Sequence, residues 1–177
     1  MTTSIRRIFI TGFMGAGKTT LASSLARRLD CPMVDLDQFI REREGRSPQQ
    51  IIDEDGEARF RELETSALRA VLENEASCII ALGGGAWAFK QNRTLIAERD
   101  GFTVWLDAPF ELCWRRIRSE GDKRPLARDR EKAGRLYDER RALYGLADLR
   151  VQATEERSAE DVAAEIEHAL LHRRTKL

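Results

Sequence analysis

Apolar positions along the chain group into short buried runs separated by helical stripes. Ile8-Phe9-Ile10 is continuous and apolar, so Arg7 to Thr11 reads as a buried strand. Leu21, Leu25 and Leu29 then recur at i, i+4 and i+8, which predicts a helix opening at Lys18. Cys31-Pro32 breaks that pattern, and Met33-Val34 leads a short strand expected to run out through Asp35-Leu36-Asp37. Ser47-Pro48-Gln49-Gln50 combines an N-cap, a proline at the first helical position and a capping-box glutamine, so a short helix starts there. After Gly56, Phe60, Leu63, Ala67, Ala70 and Val71 share one helical face. Cys78 to Leu82 and Phe102 to Asp107 are further buried strands, the first halted by Gly83-Gly84-Gly85 and the second followed by Pro109 at the opening of a helix. Ser119 to Arg130 is charged and aperiodic, long enough for a mobile lid. A helix around Leu136 to Leu143, a strand near Leu149 to Val151 and a helix opened by Ser158-Ala159-Glu160-Asp161 complete the chain. Five strands alternating with helices predict an α/β fold: a five-stranded parallel sheet flanked by helices on both faces, forming a single domain over 1–177. Ligands of such sheets bind at the carboxyl ends of the strands.

Charge narrows the set of partners. Thirty basic residues balance thirty acidic ones among 177, so no overall field draws the protein to nucleic acid or to a membrane surface. Cys31, Cys78 and Cys113 are odd in number and form no C-x-x-C pair, which predicts reduced core thiols. The run from Met1 straight into the first strand leaves no room for a signal peptide, and the expected form is a cytoplasmic monomer.

The first strand ends one residue before Gly12-Phe13-Met14-Gly15-Ala16-Gly17-Lys18-Thr19, a complete G-x-x-x-x-G-K-[ST] P-loop. Its glycines let backbone N–H groups curl around phosphates, its lysine reaches the β- and γ-phosphates, and the Thr19 hydroxyl can ligate Mg²⁺. The helix that follows points its positive end at the same anions. A nucleoside triphosphate is therefore the expected ligand, held by Gly12 to Thr19 together with Thr20. Asp35 and Asp37, read as two apart on an extended segment, face the same way. One can orient Mg²⁺ through water while the other accepts from an acceptor hydroxyl; the alternative reading of an Asp-x-Asp is a solvated loop pair, which its place after a strand beside a P-loop disfavours. Arg61 and Glu64 are helical neighbours, and the triple glycine lets a ligand lie against bare backbone.

In combination with Phe60-Arg-Glu-Leu-Glu64, Gly83-Gly-Gly-Ala86, Arg124-Pro-Leu126 and Arg140-Arg-Ala-Leu-Tyr144, the P-loop and Asp35-Leu-Asp37 resemble the shikimate kinase family over nearly the whole chain. The resemblance implies phosphoryl transfer from ATP to the 3-hydroxyl of shikimate, with Mg²⁺ as cofactor. Lys18, Asp37 and Arg124 would be catalytic, and Thr19 with Asp35, through water, would hold the metal. Asp37, Arg61, Glu64, Gly83, Gly84, Gly85 and Arg140 would form the acceptor site, on helices within about 37–75 and on α-helical Arg140. Arg124, in a lid at about 119–130, would reach the ATP phosphates, and Arg116 would flank adenine. Ala22 replaces a frequent glycine, Trp87 is bulky beside the triple glycine and reads as a packed aromatic, and His168 and His172 read as solvated. The alternatives are another small-metabolite kinase, such as a gluconate kinase, or a nucleotide-binding regulator without catalysis.

Overall fold

A computed structural model describes residues 7–74, 78–119 and 129–174. In chain order these form β1 (Ile8–Thr11), α1 (Lys18–Leu29), β2 (Met33–Asp35), α2 (Leu36–Glu44), α3 (Pro48–Asp55), α4 (Glu57–Glu73) and β3 (Ile79–Ala81). A 3-10 turn (Ala86–Ala88) follows, then α5 (Lys90–Ala97), β4 (Phe102–Asp107), α6 (Phe110–Ser119), α7 (Arg130–Tyr144), β5 (Leu149–Gln152) and α8 (Ala159–Arg174). The strands pair in the order β2-β3-β1-β4-β5, all parallel. Phe9 of the central strand lies opposite Ile80 on one side and Thr103 on the other, and all four β1 residues are buried. The chain leaves β1 toward one edge and later returns to β4 on its other side. That topological switch point sets the carboxyl end of β1, and so the P-loop, at the crevice where α/β proteins bind ligands.

Packing explains most of the helices. Leu21, Ala22 and Leu25 bury the inner face of α1, and Arg28 on its outer side donates to Glu160 (2.9 Å) and Glu167 (2.6 Å) of α8. Ala22 is fully buried, so the methyl group is accommodated. The capping box of α3 is complete: Ser47 Oγ accepts from Gln50 N–H, and the Gln50 side chain accepts from Ser47 N–H at 2.9 Å. Ser158 caps α8 in the same manner through Asp161.

Three expectations change, and one helix appears where none was stated. The strand expected to extend through Asp37 stops at Asp35, whose carboxylate accepts from Gln38 N–H at 3.0 Å and caps α2; Leu36 and Ile40 then bury a helical face. Asp35 and Asp37 are therefore not two residues of one extended segment. Helix α5 interrupts a stretch with little apolar periodicity, held by buried Asn92 and Ile96. Helix α7 begins six residues earlier than Leu136, at Arg130, where the Asp129 carboxylate accepts from Lys132 N–H. Cys113 is fully buried as expected, but Cys31 and Cys78 are only half-buried; all three are free thiols. Most of the expected lid, residues 120–128 with Arg124 among them, lies outside the described residues. No described helix is long and apolar enough to cross a membrane.

Candidate active site

Backbone geometry forms the phosphate cradle. Gly15 has φ 77°, and a Cβ there would come within 2.7 Å of the Cys113 carbonyl, so both the conformation and the space demand glycine. Phe13 contributes only its main chain to the cradle, because its side chain is buried with its edge on the Tyr137 ring, centroids 5.2 Å apart. Lys18 Nζ donates to the carbonyls of Gly12 (2.9 Å) and Phe13 (3.0 Å), which holds the ammonium against the loop. Arg116 Nη1 donates to the carbonyls of Gly15 (3.2 Å) and Ala16 (3.0 Å), reaching the same loop from α6.

These groups border a cavity of about 610 Å³, lined by Met14 to Leu21 together with Asp35, Asp37, Gly84 and Arg116. Thr19 Oγ1 donates to Asp35 Oδ2 at 2.5 Å, so a hydroxyl and a carboxylate meet at the cavity wall. This is the hard-oxygen donor chemistry that Mg²⁺ prefers. The far wall comes from the β5–α8 connection, with Ala153, Thr154, Arg157 and Ser158, and from Ala159 and Val162 of α8. Sequence reading assigned this wall no site role. Its position at the carboxyl end of β5, on the same rim as the P-loop, was the available signal.

The remaining expected residues gather around the triple glycine. A Cβ on Gly83 would lie 2.6 Å from Asp37 Oδ1 and 3.2 Å from Glu64 Oε1, and one on Gly85 would overlap the Arg61 guanidinium. The bare backbone is what allows Asp37 of α2 and Arg61 and Glu64 of α4 to converge there. Arg61 donates to Glu64 at 2.8 Å and to Glu57 at 3.2 Å, with Phe60 and Phe89 rings beside it. Burial pushes the Glu64 carboxyl up to about 7, against the lowering influence of Arg61. From α7, Arg140 Nη1 (3.1 Å) and the Tyr144 hydroxyl (2.7 Å) both donate to the Gly84 carbonyl. Burial also raises the Tyr144 hydroxyl, to about 12, so it stays a donor. Trp87 is buried and its indole N–H donates to the Leu143 carbonyl at 2.8 Å, joining the turn after the glycines to α7. It packs rather than lining the cavity. His168 and His172 are exposed on α8, and the described residues contain no group of three or more potential metal ligands of the His, Cys, Asp and Glu types.

The cavity is thus continuous from the P-loop to Asp37 and Gly84, with a cluster of two arginines, two carboxylates and backbone beyond. The same sequence matches the family model for shikimate kinase over residues 14–171. A shikimate kinase from Geobacter metallireducens is 42% identical over 165 residues, 92% of this chain and 90% of the relative. One from Aquifex aeolicus is 38% identical over 160 residues, 90% and 93% of the two chains. Among solved structures, shikimate kinase from Acinetobacter baumannii in complex with shikimate superposes with a TM-score of 0.88 at 31% identity, covering 96% of this chain and 95% of that one. The Bacteroides thetaiotaomicron enzyme gives 0.84 at 34% identity, covering 93% and 98%. With a P-loop at the switch point, an arginine and carboxylate cluster beside its cavity, and relatives that agree along nearly their full length, the chain belongs to the shikimate kinase family.

Proposed function

We propose that this protein transfers the γ-phosphoryl group of ATP to the 3-hydroxyl of shikimate, giving shikimate 3-phosphate and ADP, with Lys18, Asp37 and Arg124 at the reacting atoms. Family membership gives the reaction class, and one observation supports the residue assignment: Arg61, Arg140, Asp37 and Glu64 meet around Gly83 to Gly85, beside the Lys18 cavity. Shikimate carries a carboxylate and three hydroxyls. Two guanidiniums match the carboxylate through paired, charge-assisted hydrogen bonds, and Glu64 keeps Arg61 in place. Asp37 accepts from the reacting hydroxyl, and Gly83, Gly84 and Gly85 line the ring with backbone.

The P-loop from Gly12 to Thr19, with Thr20, binds the phosphates. Arg116 supports the loop at Gly15 and Ala16 and flanks the adenine end of the cavity. Thr19 would hold Mg²⁺ directly and Asp35 would hold it through water, which suits the oxygen pair those side chains form. When bound, the ion neutralises phosphate charge. Phosphoryl transfer passes through a loose transition state, so positioning and charge neutralisation dominate over proton abstraction. Lys18 and Arg124 stabilise charge on the transferred group and the leaving ADP, and Asp37 orients the attacking oxygen.

The segment at about 119–130 closes as a lid over ATP, excluding water from the phosphoryl group. The helices within about 37–75 form the acceptor side of a single kinase domain spanning 1–177. The enzyme works as a monomer in the cytoplasm. A coupled ADP-release assay with shikimate, quinate, gluconate and AMP as competing acceptors tests the reading. Turnover of shikimate well above the other three is the expected result; phosphorylation of gluconate or AMP without shikimate turnover would overturn it.

A further inference from the structure

Helix α7 presents Tyr137, Arg140, Arg141 and Tyr144 at i, i+3, i+4 and i+7, one inward face. This face makes two different contacts. Arg140 and Tyr144 donate to the Gly84 carbonyl, at the acceptor end of the site. Tyr137 and Arg141 instead dock on the carboxyl end of β4: the Tyr137 hydroxyl donates to the Ala108 carbonyl at 2.8 Å, and Arg141 Nη1 donates to Asp107 Oδ1 at 2.7 Å and to the Tyr137 oxygen at 2.8 Å.

Asp107 is the centre of this second contact. Its side chain is 8% exposed, and Arg150 of β5 donates to its Oδ2 through Nε (2.9 Å) and Nη2 (2.5 Å). Both guanidiniums lie over the Trp105 ring, at 5.1 Å for Arg141 and 4.8 Å for Arg150. A shielded carboxylate shared by two arginines is weak evidence for net stability, because desolvation offsets much of the attraction. What such a group does well is fix one arrangement, since every donor direction is specified. Arg141 is the next residue after Arg140, so whatever sets the rotation of α7 at Arg141 also sets where Arg140 points. A guanidinium about 7 Å from a helix axis moves roughly 1 Å for each 10° of rotation. A shift of that size is enough to spoil a productive geometry.

We infer that Asp107, acting through Arg141, is a positioning residue for Arg140: the part-buried ion pair fixes the rotation of α7 and so holds the acceptor-binding guanidinium at Gly84. This rests on the reading of Arg140 as a shikimate-binding residue, and the experiment separates the two. Shikimate and ATP affinities are titrated separately by calorimetry on the wild type, Arg141→Met, Arg140→Ala and the double variant, at fixed ionic strength. Methionine keeps an apolar stem over Trp105 while removing the charge. Arg141→Met is expected to raise the shikimate Kd about five- to tenfold and the ATP Kd less than twofold. In the Arg140→Ala background the same substitution is expected to change the shikimate Kd less than twofold, because the group it positions is gone. Asp107→Asn, isosteric and uncharged, should reproduce the selective loss if Arg141→Met does not fold. Equal weakening of both ligands, or an undiminished effect in the Arg140→Ala background, would make the ion pair merely structural and overturn the inference. Loss of shikimate binding in Arg140→Ala with none in Arg141→Met overturns the inference alone. Unchanged shikimate binding in Arg140→Ala overturns the site reading and the inference with it.

Discussion

Single side chains in this site gain their roles from what restrains them. Two carbonyl acceptors tether the Lys18 ammonium to the P-loop, so the charge is held at the cavity wall. Lys18→Ala is expected to lower kcat about 10²-fold or more, the scale for losing one preorganised electrostatic donor, with an unchanged thermal midpoint. The coupled assay beside a thermal melt checks this, and a folded variant turning over at the wild-type rate would remove Lys18 from the chemistry. Arg61 is restrained more tightly, by Glu64 and Glu57 on one side and by the backbone of Gly85, which leaves no room for a Cβ. A charge-assisted hydrogen bond is worth about 1.5–3 kcal/mol, so Arg61→Ala should weaken shikimate binding roughly ten- to a hundredfold while ATP affinity hardly moves. Arg61→Lys should fail to restore it, since an ammonium lacks the planar fork. Separate titrations of the two ligands decide the point, and a collapse of ATP binding with shikimate affinity intact would reassign the arginine to the nucleotide.

At the scale of elements, local chemistry that closes on itself is the most testable. Helix α3 has only Ile51 fully buried, so its first turn depends on the reciprocal Ser47 and Gln50 bonds more than on packing. Ser47→Ala should cost about 1 kcal/mol of stability, read from denaturant midpoints, and a change under about 0.3 kcal/mol would mean that packing alone fixes the helix start. The same logic explains which elements were legible in the sequence. Strands β1 and β4, mostly apolar and buried throughout, and helices with a strong cap or stripe, α1, α3 and α8, stand where the residue pattern puts them. The pattern misled where a capping residue also looked like strand: Asp35 follows Met33-Val34, and its carboxylate turns the chain into α2 instead of extending it. It was silent on α5 and on the first turns of α7, which contribute few apolar positions of their own. For the site, motif residues were legible because the backbone chemistry of the P-loop and the triple glycine is local. The Asp107 and Arg141 contact and the wall from the β5–α8 connection were not, because each depends on elements adjacent in space and distant in sequence.

Across the whole molecule, the cluster around Gly83 to Gly85 imposes a pH dependence on folding. Glu64 is 1% exposed, and burial is the largest influence on it, raising its carboxyl from 4.5 to about 7. Arg61 on its own helix and Arg140 of α7 act in the opposite direction, and Asp37 of α2 reinforces the rise. The unfolded chain releases this proton near 4.5, whereas the native state keeps it up to about 7. The native state therefore binds more protons between those values, and the contribution of this group to stability is full below 4.5 and lost as pH rises through 7. Other carboxylates shape the total curve, so the decisive quantity is a difference between two proteins. Glu64→Gln keeps the shape and never ionises, so it should gain stability relative to the wild type as pH rises from 5 to 7 and hold that gain at 7.5. Thermal midpoints of both proteins across pH 5 to 7.5, without ligands, provide the measurement. A midpoint difference that stays constant over that range would show that Glu64 keeps its charge throughout. In that case Arg61, rather than burial, would dominate the electrostatics at the centre of the site.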